Sequence, residues 1–249
     1  MRAYLLFTLI FFRLICWDIL DKLRIAVSWK WARRALDREV PQRARKLFAL
    51  ARFSVGLSLM VENRRRVLPE TLLIVSNHQS VIDIVAIMAA FPNHAVRFVA
   101  KKELGSWFPA VSRVLRVQRH ALISRHGDFG AAMRRIERLG RTIRQGEGVV
   151  IFPEGTRSLD GKVRTFHSGA IRKIQASRPL PMVAVAVDGG WRFARMQDLT
   201  RMERGQEVRI AFCNVFPPAQ SKRELITQLD TAQQDIERTI KGWREAGRT

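Results

Sequence analysis

The sequence predicts an α/β fold, with a mostly parallel sheet flanked by helices and an N-terminal helical segment in front of it. From about residue 61 onward, short apolar runs rich in β-branched residues alternate with segments of helical periodicity. This alternation is typical of parallel strands joined by helical crossovers. The preceding residues have the character of helices: an apolar segment followed by a long basic amphipathic one. We therefore predict a helical region at residues 1–60 and an α/β domain at residues 61–249.

Size and charge limit the class of protein. The chain has 249 residues, enough to bury one full core, and its hydrophobic content of 47% excludes a disordered chain. Its formal net charge of +22 implies a polyanionic partner. Nucleic acid and an anionic membrane are the two candidates, and charge alone does not separate them.

The N-terminal apolar segment separates these candidates better. Residues 3–12 are almost uninterruptedly apolar, and the run reaches Trp17 if Arg13 is tolerated. This is shorter than the roughly 20 residues that span a bilayer. A cleaved signal peptide is an alternative because Arg2 precedes the apolar core, but no Ala-x-Ala-like cleavage site follows. We expect a retained anchor that is half inserted in the membrane or lies in its interface.

The basic residues around this anchor are expected to face anionic headgroups, each contributing about 1 kcal/mol to binding. They are Arg13, Lys22, Arg24, Lys30, Arg33, Arg34, Arg38, Arg43, Arg45 and Lys46. Trp17, Trp29 and Trp31 suit the headgroup level. The region is better explained by an anionic membrane than by nucleic acid, for which no recognition signature is present.

The elements of the α/β domain follow from periodicity and from residues that end helices. Strands are predicted at residues 72–75, 96–99, 149–152, 181–187 and 208–216. Helices are predicted after Ser80 up to Pro92, over residues 128–145 with Gly146 as C-cap, and over residues 222–245. In parallel sheets, binding residues collect where strands end. The polar residues at those positions are therefore the candidates for a functional site.

The first polar segment, residues 77–83, contains a histidine and an aspartate. Neutral imidazole is the best general base near pH 7, and a carboxylate on its second nitrogen fixes its tautomer. His78 in the turn and Asp83 in the first turn of the next helix could form such a pair. A structural alternative stays open: Ser80 and Asp83 also resemble a capping box, and His78 could be a turn former. Three further histidines, His94, His120 and His126, are expected to be solvated.

The second polar segment, residues 152–158, follows a strong apolar strand. Gly155 allows a sharp turn close to a ligand, and Arg157 offers a planar fork for a phosphate. A purely structural turn is the alternative. The clustering of Glu154, Thr156 and Arg157 behind one strand favours a binding site.

With these two segments the chain resembles the glycerolipid acyltransferases related to bacterial 1-acylglycerol-3-phosphate acyltransferase. Its His-x4-Asp block matches residues 77–83, and its Phe-Pro-Glu-Gly-Thr-Arg-Ser block matches residues 152–158. Residues 100–104 with Pro109, and then residues 123–125, resemble the second block. Residues 180–186 resemble the fourth. Four blocks in this order are specific, and the resemblance covers about residues 60–190.

The resemblance implies acyl transfer without a covalent intermediate. His78 would deprotonate the free hydroxyl of a lysophospholipid, Asp83 would orient the imidazole, and Lys101 or Lys102 would stabilise the oxyanion. The glycerol phosphate would be held by Glu154, Gly155, Thr156 and Arg157, with Arg125 as a helper. Pro181, Val183 and Val185 would belong to the acyl and acceptor pocket. No metal or bound cofactor is implied, because acyl-CoA or acyl-carrier protein is a co-substrate.

The resemblance further implies a membrane protein on the cytoplasmic face, in a bacterium the inner membrane. Three alternatives stay open. The same chemistry could act on another acceptor, such as glycerol-3-phosphate, another lysophospholipid or a lyso-aminolipid. The chain could be a basic, non-enzymatic module that binds membrane or RNA. Finally, His78, Asp83 and Glu154 could be metal ligands.

Overall fold

The computed structural model describes residues 2–62, 67–106, 108–124, 128–195, 198 and 204–247, and these form seven α-helices and seven strands. The helices are α1 (Arg2–Val27), α2 (Trp29–Val55), α3 (Val81–Ala90), α4 (Val111–Val117), α5 (Phe129–Thr142), α6 (Gly169–Ser177) and α7 (Lys222–Glu245). The strands are β1 (Ser58–Glu62), β2 (Leu72–Ser76), β3 (Ala95–Lys101), β4 (Ala121–Ile123), β5 (Glu147–Ile151), β6 (Met182–Asp188) and β7 (Glu207–Phe216). Short 3-10 helices lie at Lys102–Gly105 and Gly190–Phe193.

Across these residues the strands form one sheet in the order β1-β7-β6-β2-β5-β3-β4. Strands β6, β2, β5, β3 and β4 are parallel to one another, whereas β7 runs antiparallel to β6 and carries β1 parallel to itself. The prediction of a mostly parallel sheet is therefore confirmed, with a reversed pair at one side. We call the edge at which the five parallel strands end the carboxyl edge.

Helices cover both faces of the sheet and create two cores. Leu72 and Ile74 of β2 pack with apolar residues of α2 and α3, whereas Leu73 and Val75 pack with those of α5, α6 and α7. Alternate residues of a strand point to opposite faces. Because β2 is apolar at all of these positions, it is buried on both faces, as expected for a central parallel strand.

The N-terminal helices pack on each other through buried charges. Arg43 of α2 donates from Nη1 and Nη2 to the two carboxylate oxygens of Asp21 in α1, at 2.6 and 2.7 Å. A second group joins α2 to the sheet: Arg97 of β3, 1% exposed, donates to Glu147 of β5 at 2.7 Å and to Asp37 of α2 at 2.8 Å. The helices are thus held to the α/β part by specific ion pairs.

The predicted contact with headgroups is wrong for two arginines and one tryptophan, because these side chains are buried. Arg33 and Arg43 are buried, because their guanidinium groups pair with Glu147 and Asp21. Trp17 is also buried, with Arg43 over its ring. Trp29 and Trp31 remain exposed.

The N-terminal region is continuous with the sheet. Phe48, Ala51 and Val55 of α2 lie in the same core as β2, and the predicted boundary at residue 60 falls within β1. Among the described residues, no helix combines the length and apolar character needed to cross a membrane.

Several details differ from the sequence prediction. The helix expected to reach residue 145 ends at Thr142, because Ile143 is extended (φ −62°, ψ 139°) and Gly146 belongs to the following turn. His94 and His120 are buried rather than solvated. Burial, together with the Arg97 cation, lowers the pKa of His120 to about 3, and its neutral Nδ1 accepts the Phe98 N–H at 3.0 Å. His126 lies outside the described residues.

Candidate active site

Polar residues from neighbouring strands meet at the carboxyl edge. His78 follows β2, residues 152–158 follow β5, and Asp188 ends β6. Because β2 lies between β6 and β5, these three strand ends are adjacent. The two polar segments found in the sequence therefore lie side by side.

Asn77 fixes the start of the His78 loop. Its Nδ2 donates to the carbonyl oxygen of Val187 at 2.8 Å, and its Oδ1 accepts from the Val187 N–H at 2.9 Å. This pair of bonds continues the contact between β2 and β6 beyond the end of β2. The residue next to the histidine is thus bound to the sheet itself.

Asp83 contacts His78 and caps helix α3 with the same oxygen. Its Oδ2 lies 2.9 Å from His78 Nδ1 and accepts the backbone N–H groups of Gln79 and Ser80 at 2.5 and 2.7 Å. The Oγ of Ser80 accepts the N–H of Ile82 at 3.4 Å. The capping and pairing interpretations therefore both hold, because the cap places the carboxylate under the imidazole.

The geometry determines which nitrogen of His78 can act as a base. A carboxylate only accepts hydrogen bonds, so Nδ1 carries the hydrogen and Nε2 has a free lone pair. Within the part of the chain that the structure describes, Nε2 has no hydrogen-bond partner. The ring stacks on Phe152 with centroids 4.0 Å apart, and the side chain is 15% exposed. His78 is thus fixed in orientation yet open to a ligand.

Glu154 joins the two polar segments. Its Oε1 accepts the backbone N–H of His78 at 2.7 Å, and its Oε2 accepts that of Arg164 at 3.2 Å. In return, the carbonyl oxygen of His78 accepts the N–H of Ser158 at 2.8 Å. The histidine backbone is therefore held from both sides by the loop that follows β5.

This position differs from the role expected for Glu154. Its side chain is buried and both carboxylate oxygens accept backbone N–H groups, so it holds the two loops together; its contact with a glycerol phosphate stays a prediction. Burial raises the pKa of Glu154 to about 7, against the opposing effect of the His78 and Arg164 amides.

Gly155, Thr156 and Arg157 lie at the surface of the same loop. Gly155 adopts φ +69°, a left-handed conformation that favours glycine, and a Cβ there would meet open space. Arg157 is half-buried, and its Nη1 donates to the carbonyl oxygen of Ala194 at 2.6 Å. The preceding residue, Phe193, accepts from the Ser80 hydroxyl at 2.7 Å. Arg157 is thus connected to the cap of the helix that carries Asp83.

The remaining predicted residues lie in three settings. Lys101 ends β3, the neighbour of β5, and Lys102 begins the 3-10 helix that follows; both lysines are exposed. Val183 and Val185 are fully buried in the core on the α2 and α3 side, and Pro181 directly precedes β6. Their contribution to an acyl pocket stays a prediction. Arg125 lies outside the described residues.

The structure adds residues that were not singled out in the sequence. Gln79 is fully buried, and its side chain bonds Asp188 Oδ1 at 2.9 Å and the N–H of Trp191 at 3.2 Å. Gly190 approaches Asp83 so closely that a Cβ there would lie 2.4 Å from Asp83 Oδ1. Asp188 and Gly190 could have been found from the sequence, because they lie where a buried strand ends in a polar, glycine-containing segment, as His78 and Gly155 do.

The fold is α/β, and at the carboxyl edge of its sheet a histidine oriented by a carboxylate lies beside a loop that carries an arginine. Among the described residues, no three His, Cys, Asp or Glu side chains are grouped so that they could hold a metal ion. Comparison with known proteins is consistent with this class: the acyltransferase family model matches residues 58–188, more than half of the chain. The chain belongs to the acyltransferase family.

Individual proteins that resemble this chain belong to the same family. A 1-acyl-sn-glycerol-3-phosphate acyltransferase of Cocos nucifera is 34% identical over 121 residues, which are 47% of this chain and 38% of the coconut protein. A probable enzyme of the same name from Mycoplasma pneumoniae is 25% identical over 216 residues, 82% of this chain and 75% of that protein. The crystal structure of the 1-acyl-sn-glycerophosphate acyltransferase PlsC from Thermotoga maritima has a TM-score of 0.77 at 19% identity, covering 98% of this chain and 95% of that one. This last similarity concerns the fold.

Proposed function

We propose that the chain is a membrane-associated 1-acyl-sn-glycerol-3-phosphate acyltransferase. It transfers an acyl chain from acyl-CoA or acyl-carrier protein to the free hydroxyl of lysophosphatidic acid and forms phosphatidic acid. The observation that carries this proposal is the His78–Asp83 pair, which Glu154 holds against the loop of Arg157. The names of the relatives support the acceptor.

His78 acts as the general base in this reaction. Its Nε2 takes the proton of the acceptor hydroxyl while the hydroxyl oxygen attacks the thioester carbonyl carbon. Asp83, bonded to Nδ1, stabilises the imidazolium that forms. The tetrahedral intermediate then expels the thiolate, which takes the proton from Nε2 and leaves as the free thiol. General base catalysis of this kind contributes about 10²- to 10⁴-fold to a rate.

Two groups of cations complete the site. Arg157 binds the acceptor phosphate through the N–H groups that it does not use for Ala194, because a guanidinium has five such donors. The exposed residues Lys101 and Lys102, or a backbone N–H beside them, stabilise the oxyanion of the intermediate. Gly155 and Thr156 supply a surface loop without steric hindrance at the glycerol phosphate.

The direct test is an assay of the purified protein with lysophosphatidic acid and acyl-CoA or acyl-carrier protein. We expect His78→Ala to reduce turnover by roughly 10³-fold without unfolding the protein. His167→Ala is the matched control, because this histidine is exposed and its hydrogen bond to the loop comes from its backbone N–H, to the Pro153 carbonyl oxygen, which the substitution leaves in place. Near-normal turnover in His78→Ala would remove the proposed base.

The substitution Asp83→Asn tests the carboxylate separately. An asparagine oxygen can still cap α3, so we expect the fold to persist while turnover falls by about 10²- to 10⁴-fold.

A panel of glycerol-3-phosphate, other lysophospholipids and lyso-aminolipids identifies the acceptor. If one of these exceeds lysophosphatidic acid in kcat/KM, the chemistry stands but the acceptor is corrected.

The membrane association rests on the surface of α1 and the start of α2. Large apolar side chains are exposed there, among them Phe11, Phe12, Leu23, Trp29 and Trp31. Exposed lysines and arginines, including Lys22 and Arg34, accompany them. This combination suits an interfacial position on an anionic leaflet. Because both donors are cytoplasmic, the cytoplasmic face of the bacterial inner membrane is the proposed location.

Vesicle binding tests this location. We expect the protein to bind vesicles that contain phosphatidylglycerol more tightly than pure phosphatidylcholine, and binding to weaken as salt rises. The double substitution Phe11→Ser/Phe12→Ser should weaken vesicle binding. Phe129→Ser should not, although Phe129, on α5, is more exposed than either of the two. Equal binding of the two variants would refute the role of α1.

A further inference from the structure

The last turn of α7 reaches the carboxyl edge through one arginine. Arg244 donates from Nε to Asp188 Oδ2 at 2.9 Å and from Nη2 to Asp188 Oδ1 at 2.7 Å. The two parallel bonds form a bidentate ion pair in which Asp188 is fully buried and the Arg244 side chain is 34% exposed. Arg244 lies well beyond residues 58–188, the part that matches the family model.

Asp188 also binds Gln79, which lies in the loop of His78. The Nε2 of Gln79 donates to Asp188 Oδ1 at 2.9 Å, and Gln79 Oε1 accepts the N–H of Trp191 at 3.2 Å. Gln79 follows His78 directly, and its backbone N–H donates to Asp83 Oδ2 at 2.5 Å. A continuous chain of hydrogen bonds therefore runs from α7 to the carboxylate that orients the base.

Arg244 also contacts the loop that carries Arg157. Its Nη2 donates to the carbonyl oxygen of Gly161 at 3.0 Å, and its guanidinium lies 5.9 Å from the centroid of the Trp191 ring. The space is closely filled, because a Cβ at Gly161 would lie 2.5 Å from Arg244 Nη2 and 2.7 Å from Trp191 Cδ1. A single side chain thus contacts the loops that follow β5 and β6, and reaches the loop after β2 through Asp188.

We propose that Arg244 is a positioning residue for acyl transfer: together with Asp188 and Gln79 it fixes the loop of His78 relative to the loop of Arg157. This inference rests on the proposed function. Effective proton transfer and attack require the reacting groups to stay within a fraction of an ångström of their productive positions. Glu154 connects the two loops through the backbone of His78. Arg244, near the end of α7, connects them a second time through Asp188 and Gly161.

The test compares substitutions along α7. We expect Arg244→Met to lower kcat, per folded molecule, by roughly tenfold or more with KM changed much less. Arg244→Lys keeps the charge but loses the fork, so its kcat should fall between wild type and Arg244→Met. Arg238→Met is the matched control, because Arg238 is an exposed residue of the same helix and, among the described residues, its ion pair is with Asp235 one turn away. Unchanged kcat in folded Arg244→Met would overturn the proposal.

A double variant separates positioning from charge balance. Arg244→Met alone leaves a buried carboxylate without its cation and can unfold the protein. Asp188→Asn/Arg244→Met removes both charges and should fold. If positioning is the role, its kcat stays low, because the contacts with Gly161 and the fork are still missing. Recovery of wild-type kcat in the double variant would show that Arg244 only neutralises Asp188.

Hydrogen exchange provides a readout that does not depend on turnover. In the double variant, backbone amides of residues 77–80 and 158–161 should exchange faster than in wild type, while those of β2 and β5 stay protected. Unchanged exchange in both loops would refute the proposed connection. Failure of the proposed function would give a different result. Either wild type would show no acyl transfer, or His78→Ala would turn over as fast as wild type, whatever the hydrogen exchange shows.

Discussion

Glu154 shows at the residue scale how a structural carboxyl can make stability depend on pH. Its pKa is raised from 4.5 to about 7 by burial. The folded state therefore binds this proton more tightly than the unfolded state does. The resulting stability is fully present below about pH 4.5 and is lost as pH rises through about 7.

We expect Glu154→Gln to remove this dependence, because the amide stays neutral and its oxygen can still accept the His78 N–H. Thermal unfolding of wild type and variant should be compared in steps between about pH 4.5 and 8. The Tm of wild type should fall relative to that of the variant as pH rises. Parallel Tm curves over this range would contradict the raised pKa.

Gly190 is a second residue whose importance comes from contact distance. Asp83 Oδ1 is buried and has no hydrogen-bond partner among the described residues, and Gly190 lies directly against it. Three bonds hold the carboxylate at Oδ2, so it cannot move away easily. We expect Gly190→Ala to cost about 1–3 kcal/mol of stability and up to roughly 10² in kcat.

The control for Gly190→Ala is Gly242→Ala, in helix α7, where a Cβ would meet no atom within 4 Å. Alanine is favoured over glycine inside helices, so this variant should be slightly more stable and fully active. Urea denaturation and the acyl-transfer assay measure both properties. Wild-type turnover in Gly190→Ala would show that Asp83 can shift without consequence.

The contact between His78 and Asp83 could be predicted from the sequence, because short-range chemistry determines it. His78 and Asp83 are five residues apart, and the cap that brings them together is readable from Ser80. The bonds of Gln79 and Glu154 were not predictable, because their partners are 109 and 76 residues away in the chain. The polarity of Glu154 suggested a ligand contact, whereas its burial makes it a bridge.

At the scale of elements, the ion pair between α1 and α2 fixes how the two helices pack. Asp21 is fully buried, and Arg43 is its bidentate partner. We expect Arg43→Met to lower the free energy of unfolding by about 3–5 kcal/mol, because it leaves a buried carboxylate without that partner. Asp21→Asn/Arg43→Met should lose less, and chemical denaturation measures the difference.

An exposed pair serves as the control. Arg141 and Glu137 form an i,i+4 pair on the surface of α5, and Arg141→Met should cost less than about 1 kcal/mol. Similar losses for Arg43→Met and Arg141→Met would mean that the buried pair contributes no more than a surface pair.

At the scale of the whole molecule, the sheet depends on residues outside the matched family region. Strand β7, residues 207–216, lies between β1 and β6. Helix α7 covers one core with Leu229, Ile236 and Trp243. We expect a fragment of residues 58–188 not to fold. In it β1 loses β7, its neighbour among the described strands, and the core beneath α7 loses the helix that covers it. Near-ultraviolet circular dichroism and hydrogen exchange should show no fixed tertiary structure; protected amides in β2 and β5 would contradict this.

The fold class followed from the sequence because apolar strands and helical periods alternate, and α7 begins and ends as predicted. Shorter or half-buried elements were missed: β4 has three residues, α6 nine, and β1 is only partly buried. The reversal of β7 was also missed, because strand direction depends on the connection rather than on the strand. Its register, with Asp188 opposite Arg209, shows that the chain re-enters the sheet at the edge where it left.

The position of β7 also matters while the chain is being made. A ribosome that has completed β1 at residue 62 must still add residues 63–206 before β7 begins. At about 5–20 residues per second, the nascent β1 waits on the order of ten seconds for its partner. During that interval the backbone N–H and C=O groups of β1 can pair with other chains. The nascent chain should therefore depend on chaperones more than the stability of the folded protein would suggest.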